Sequence, residues 1–316
     1  MAIEFKKKTL LAAVQATLGV AAELTAADAV ETSNLSIDLY QGDSLSKEVD
    51  RASEGNYAEI KTGLNTALSG DVYIAGSGTA GMAPAYGPLL TAAGFGEEIE
   101  PGVAATYRLQ NGQYAMVTLG YMRLNEAGKM QLHVADSARA TMSLSIKEKE
   151  LPKLTFTMTG LYNDPTELDA LAPDTSDYRD PVPVNAANTP KISLGGRLLE
   201  YSEFTLETGG TITVKDRPGG KEVILNQMKP KGKLVFFPAD SLADQNWLAE
   251  SRSDNGINTQ SLIATHGGTA GNIFTVEGVV QLTNLAETEV DGRLAYSTDL
   301  IFLPSDGLPG LTLTVK

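Results

Sequence analysis

Six residues, Gly76-Ser77-Gly78-Thr79-Ala80-Gly81, carry the Gly-x-Gly-x-x-Gly spacing of a dinucleotide-binding turn, with Glu97 and Glu98 about twenty residues on. In such a site the glycines let backbone amides approach a pyrophosphate at a helix N-terminus, and the acidic residue takes the ribose hydroxyls. The context opposes it, because Pro84 and Pro88 interrupt the helix the motif should open and no parallel strand follows. A structural loop is the expected reading. His266, followed by Gly267-Gly268-Thr269-Ala270-Gly271, invites an oxyanion-hole reading, but no Gly-x-Ser-x-Gly elbow accompanies it and a hairpin loop is expected. His133 falls inside a strand alternation and is expected on a sheet face. These two histidines are the only ones and cysteine is absent, so a metal site would need carboxylates for most of its ligands. Asp174, Asp177 and Asp180 lack the spacing of a calcium loop, and Glu97-Glu98-Glu100 reads as a solvated turn. No catalytic, cofactor-binding or metal-ligating residue is assigned, and no enzyme is expected.

The elements that would position any such residues are mostly strands. Leu35, Ile37 and Leu39 alternate with polar neighbours, as do Met142, Leu144, Ile146 and Leu154, Phe156, Met158, the last set with Thr155, Thr157 and Thr159 opposite. Further strands are expected at Tyr57 to Ser69, Val72 to Ile74 after a turn at Gly70-Asp71, Tyr107 to Leu109, Tyr114 to Tyr121 and Met130 to Val134. Short helices are expected at Pro84 to Ala93, closed by Gly94, and after a capping pattern at Ser241 to Asp244 leading into Trp247. Near the start, Leu10, Leu11, Val14 and Leu18 follow Lys6-Lys7-Lys8 at helical spacing, which favours an amphipathic helix over Thr9 to Ala22 rather than an export signal. No apolar run reaches the roughly 18 residues of a membrane span.

The five prolines and five aspartates between Tyr162 and Pro190 mark a boundary. The second half then repeats the order of the first, with strands at Ser202 to Thr208, Thr211 to Val214 and Leu234 to Phe237. A helix follows, and then strands at Leu262 to Thr265, Ile273 to Val276, Val279 to Leu282, Leu294 to Leu303 and Leu311 to Val315. The expected organisation is an N-terminal helix or arm over 1–34, a β-rich unit over 35–165, a Pro/Asp-rich linker over 166–190 and a second β-rich unit over 191–316. A chain of 316 residues, 42% hydrophobic and with 31 glycines, accommodates two such units. Its net charge of −14 opposes tight nucleic-acid binding, yet suits a wall past which DNA slides.

Several stretches resemble the major tail tube protein of siphophages and Mu-like siphophages over nearly the whole chain. The opening Leu10 to Gln15 with Leu24 to Val30 is similar to that family's N-terminal arm, and Gly76 to Gly81 with Ala83 to Phe95 to its first helix region. Leu151-Pro152-Lys153-Leu154-Thr155-Phe156-Thr157-Met158-Thr159-Gly160-Leu161-Tyr162 is the most specific stretch. Val184-Asn185, Asn188-Thr189-Pro190, His266 to Asn272 and Asp291-Gly292-Arg293 continue it. The family's cysteine in the first helix is replaced by Ala93 or a neighbour, and the aromatic end of its second helix is reduced to Trp247.

The resemblance implies a mainly β tail tube fold, a sandwich plus helix duplicated within the chain, whose inner strands complete a continuous barrel in a ring. It implies self-association, with a trimer of pseudo-sixfold symmetry expected and a hexamer as rival, and rings stacked into a virion tail that passes phage DNA. Tape measure, tail terminator and distal tail proteins are the implied partners, with assembly in the host cytoplasm, no cofactor and no membrane. The alternative function is an exported β-sandwich adhesin or fimbria-like surface protein.

Overall fold

The computed structural model describes residues 3–17, 19–112, 114–125, 128–239, 241, 244–254, 256–305 and 307–316, and strands dominate them. The first half runs β1 (Ile3–Val14), β2 (Ala29–Val30), β3 (Ser33–Ser46), β4 (Glu59–Tyr73), α1 (Gly87–Ala92), β5 (Phe95–Glu100), β6 (Ala104–Leu109), β7 (Val117–Asn125), β8 (Lys129–Lys147), β9 (Lys153–Tyr162) and β10 (Thr166–Asp169). The second half continues with β11 (Ile192–Leu194), β12 (Arg197–Leu199), β13 (Tyr201–Glu207), β14 (Thr211–Arg217), β15 (Gly220–Asn226) and β16 (Lys231–Phe236). It closes with α2 (Trp247–Arg252), β17 (Gln260–His266), β18 (Phe274–Val290), β19 (Arg293–Leu303) and β20 (Leu311–Val315). The β-rich class with two short helices is as the alternation predicts.

The helix expected over Thr9 to Ala22, in the arm 1–34, is strand β1 as far as Val14. β1 lies between β2 and β7, with Leu10 opposite Val30 on one side and Tyr121 on the other. Leu10, Leu11, Ala12 and Ala13 are all buried, so both faces are covered. A strand covered on both faces is apolar without alternation, and this run of Leu and Ala imitates helical spacing. Leu18, which completes that spacing, lies outside the described residues.

Three further expectations shift. The turn expected at Gly70-Asp71 is uninterrupted strand, paired to Phe156 and Thr155 of β9. The linker 166–190 begins as β10, paired to β8 with Leu168 opposite Met130, and is then tied down where Asp174 N–H donates to Ala26 O and Val184 N–H to Glu150 O, both at 2.9 Å. The second helix is capped by Asn246, whose side chain accepts from Ala249 N–H at 3.0 Å, rather than by the pattern at Ser241. Leu242 and Ala243 of that pattern lie outside the described residues. The first helix is as expected, with Pro88 in its first turn and Gly94 after it at φ +90°.

All strand pairings among the described residues are antiparallel. One eight-strand run has the order β3-β4-β9-β8-β13-β16-β19-β18. The N-terminal parts of the two longest strands, β8 and β18, serve separate pairings: β2-β1-β7-β8-β10 and β12-β11-β17-β18-β20. Each long strand carries a bulge, between Asp136 and Arg139 and between Thr283 and Ala286, with Ser137 and Asn284 at positive φ. β20 also pairs with β6, and with β8·β13 this joins the two halves; one buried cluster runs through both.

Cross-strand partners share a face, so rows of the eight-strand run can be read off the register. Val72, Leu154, Leu144 and Leu206 form one buried row. The adjacent row points the other way: Asp71, Thr155, Ser143, Glu207 and Lys231. Asp71 locks the β3 end of that polar face. It accepts from Thr155 Oγ1 at 2.6 Å, Asn34 Nδ2 at 3.0 Å and Lys153 Nζ at 3.1 Å. Burial alone would raise its carboxyl, but these donors outweigh burial and hold it below the ordinary value of 3.8.

Asp71→Ala strands three donors at once and is expected to lower the unfolding free energy by about 1–3 kcal/mol in a urea titration. Thr157→Ala, exposed on the same face, should cost less than about 0.5 kcal/mol. Because the folded pKa is depressed, the Asp71 contribution is complete above pH 3.8 and fades as pH falls through the lower folded value.

Candidate assembly edges and the glycine loops

The two glycine-rich motifs meet each other. Gly76 N–H donates to Asn272 Oδ1 at 2.7 Å, and Gly78 N–H donates to Gly271 O at 2.9 Å. A Cβ on Gly76 would stand 1.9 Å from Gly271 O, and one on Gly271 would stand 2.3 Å from Gly78 C. The amides a pyrophosphate would need are therefore spent on the opposite loop, and the glycines serve a backbone-on-backbone contact. Glu97 lies on antiparallel β5 and accepts from Tyr107 Oη at 2.6 Å, away from any ribose position.

His266 ends β17 and is buried, with Nδ1 2.8 Å from Thr189 Oγ1. Its neighbour Gly267 donates its N–H to Asn188 O at 2.8 Å, so the His266 loop is clipped to the Pro/Asp-rich segment. Burial pushes the His266 pKa below the ordinary histidine value, against a smaller opposing pull from the Val182 backbone. His133 stands on β8 directly opposite Tyr121, ring edge to ring face at 6.2 Å, on a sheet face as expected. The structure does not bring the two histidines together with a nucleophile. Asp174 is spent on the Ser176 N–H at 3.0 Å, and among the described residues no group of three metal-ligating side chains forms.

Open strand edges lie elsewhere. Among the described residues β3 pairs with one strand, β4. In β18, Val280 pairs with Gln260 of β17 on one side and Phe302 of β19 on the other, and from Gln281 onward only the β19 side is paired. The open edge is thus the β17 side. The turn Val290-Asp291-Gly292-Arg293 has φ +49° at Asp291 and +76° at Gly292, the two-residue type I′ form that suits tight hairpins. In such a hairpin the pair flanking the turn is hydrogen-bonded, so alternate residues Glu289 and Glu287 aim their N–H and C=O at the open edge.

The other long strand has a filled version of this edge. Ala135 of β8 pairs with Leu119 of β7 and Tyr162 of β9, and past the β7 side its residues Ser143 to Lys147 pair with Glu207 to Glu203 of β13. Between the edges, the polar face has the rows Tyr73-Lys153-Ser145-Thr205-Lys233-Asp299-Thr283 and Lys147-Glu203-Val235-Ser297. Hydroxyls and charged groups share it, and its lysines sit beside carboxylates. Lys153 reaches Asp71 at 3.1 Å and Lys231 reaches Glu207 at 3.3 Å, while Lys147 faces Glu203 and Lys233 faces Asp299 in register.

No protein-family model matches the chain, and no curated protein matches it at a significant level.

Gly76→Ala and Gly271→Ala should each cost about 1–3 kcal/mol, or yield no soluble protein, because backbone rather than a flexible side chain must move. Gly268→Ala in the same loop, with open space around it, should be near neutral in the same melts. For His266 the unfolded chain binds the proton first. Stability should therefore fall as pH drops through 6.5 toward the depressed folded value, and melts of His266→Gln across that window should lack this component.

Proposed function

We propose that the chain is a structural, non-enzymatic tube-forming subunit, the major tail tube protein of a long-tailed phage, working as stacked rings of three copies. The observation that carries this reading is the β8·β13 junction. It joins two blocks, β3-β4-β9-β8 and β13-β16-β19-β18, and leaves at the far ends the same two kinds of edge that it has itself paired.

The correspondence extends through both halves. The pairings β1·β2, β1·β7, β3·β4, β4·β9, β8·β9, β7·β8 and β8·β10 have counterparts in β11·β12, β11·β17, β13·β16, β16·β19, β18·β19, β17·β18 and β18·β20. A short helix follows β4 and β16 alike. An internal duplication explains this order, with β5–β6 inserted in the first copy and β14–β15 in the second. Edge β18 of one chain then receives β3 of the next as β8 receives β13. The contact is head-to-tail, so it closes into a ring only if the rotation per chain divides a circle. Three chains give six equivalent blocks and a barrel lined by the polar face.

That face refines the expected chemistry of the channel. On the rows described, four carboxylates stand with four lysines, two of the pairs in ion-pair contact and two facing in register, with hydroxyls between them. A lysine with a carboxylate beside it exchanges fewer counterions with a polyanion, which suits DNA that must pass without sticking.

The test is electron microscopy of the purified protein and of Glu287→Pro. The wild type should form tubes with three chains per ring. Proline at 287 removes an edge donor without touching the β19 ladder, so the variant should stay folded, with a melting temperature within a few degrees, and form no rings. Monomers alone in the wild type at high concentration, or tubes unaffected by Glu287→Pro, would refute the reading.

A further inference from the structure

From residue 65 onward β4 has β9 as a third strand, but the ribbon from Asp43↔Thr62 to Ser46↔Glu59 has none. This two-stranded arm, with its tip at 47–58, presents Leu45, Val49 and Ile60 to solvent, Ile60 at 69% exposure. A lone hairpin of this kind is marginal in water, and exposed apolar side chains along it call for a surface to lie on.

The other hairpin at the same point of its block has such a surface. β14–β15 connects β13 to β16 as the arm connects β3 to β4, and it lies against β4, β8 and β9 of the first block. Val223 and Leu225 are buried, and Leu225 with Met228 closes over Gly94 at the end of α1. Polar contacts fix the seat: Gly63 N–H donates to Asp216 Oδ2 at 3.0 Å and Lys221 Nζ to Leu64 O at 2.6 Å. The matching place in the second block is the end of α2. There Ser253 is tied to β18 by Gln281 Nε2 at 3.4 Å, and Leu248 in the helix and Ile257 after it are both exposed, Ile257 at 74%.

We infer that the β3–β4 arm of one chain seats on the α2 end of the preceding chain in the same ring, covering Ile257 and Leu248 as β14–β15 covers the end of α1. The inference rests on the ring reading, since edge pairing of β3 with β18 is what delivers the arm there. The occupant is a second copy of this chain. The arm is thereby a lateral clamp within a ring, not a bridge between rings.

Because the chain has no cysteine, thiol trapping reads this contact without background. Ile60→Cys/Ile257→Cys and Leu45→Cys/Ile257→Cys, all at exposed positions, would be assembled, treated with a short bis-maleimide and run under denaturing conditions beside each single variant. At least one double variant should give a ladder that stops at the number of chains microscopy counts in a ring, expected to be three, and the single variants should stay monomeric. Tubes that form but give no cross-link, a ladder running past the ring size, or cross-linking of Ile60→Cys alone would each overturn the lateral clamp while leaving the ring reading intact. Absence of rings in the wild type would instead fail the ring reading itself.

Discussion

Everything in this architecture turns on where main-chain hydrogen bonds find partners at the ends of the eight-strand run. Inside the chain the problem is solved at β8, whose edge past β7 is taken by β13. On the outer side of β3 and on the β17 side of β18 from Gln281 onward no strand is paired among the described residues. Hydrated edges cost little while the chain is alone, and each bond made on association returns only about 0.5–1.5 kcal/mol net. A junction of the β8·β13 type, five residue pairs long, is therefore worth a few kcal/mol by backbone alone. That is too little for a tight dimer, but enough when ring closure makes several junctions at once and the arm adds apolar burial. In the proposed ring, association would therefore be cooperative rather than pairwise.

The interior is built for the opposite behaviour. The glycine loops bring backbone against backbone, with Gly76 on Gly271 and Gly78 donating to Gly271, so the halves have no sliding freedom there. β6·β20 and β8·β13 tie them again at two other places, and the buried cluster passes through both. The proposed ring would gain from this rigidity, because a hinge between blocks would spread the angle between the two edges and frustrate closure.

Much of the fold was legible because half-buried strands advertise themselves by period two: β9 and β13 alternate buried and open side chains along nearly their whole length. The misreadings have one cause, that periodicity reports on burial and not on backbone shape. β1 is covered on both faces and so lost its alternation. Gly70-Asp71 resembles a turn, yet Asp71 is held in the sheet by three side-chain donors. β8 reads as two segments because a bulge resets the alternation at Ser137, and β18 does so because Glu277-Gly278 interrupts its apolar residues. The context of the glycine motif favours a structural loop, but its hydrogen-bond partner Asn272 lies 196 residues away, and no local pattern encodes a long-range backbone contact.

The two halves share pairings but not insertions, and this asymmetry bears on the count of chains. Six identical single-block subunits would carry one kind of hairpin and one kind of junction. Here the β14–β15 hairpin is short, folded back and half-buried, whereas the β3–β4 arm is long and exposed. Once two blocks are fused, the junction between them is maintained by the covalent chain and needs no affinity of its own, so its hairpin can shorten to a cover. In the proposed ring the junction between chains would have no such help, and its hairpin would have to reach across and bind. Divergence of the two hairpins in this direction is what fusion of an ancestral repeat into a three-chain ring leads one to expect, and a six-chain ring would give no reason for it.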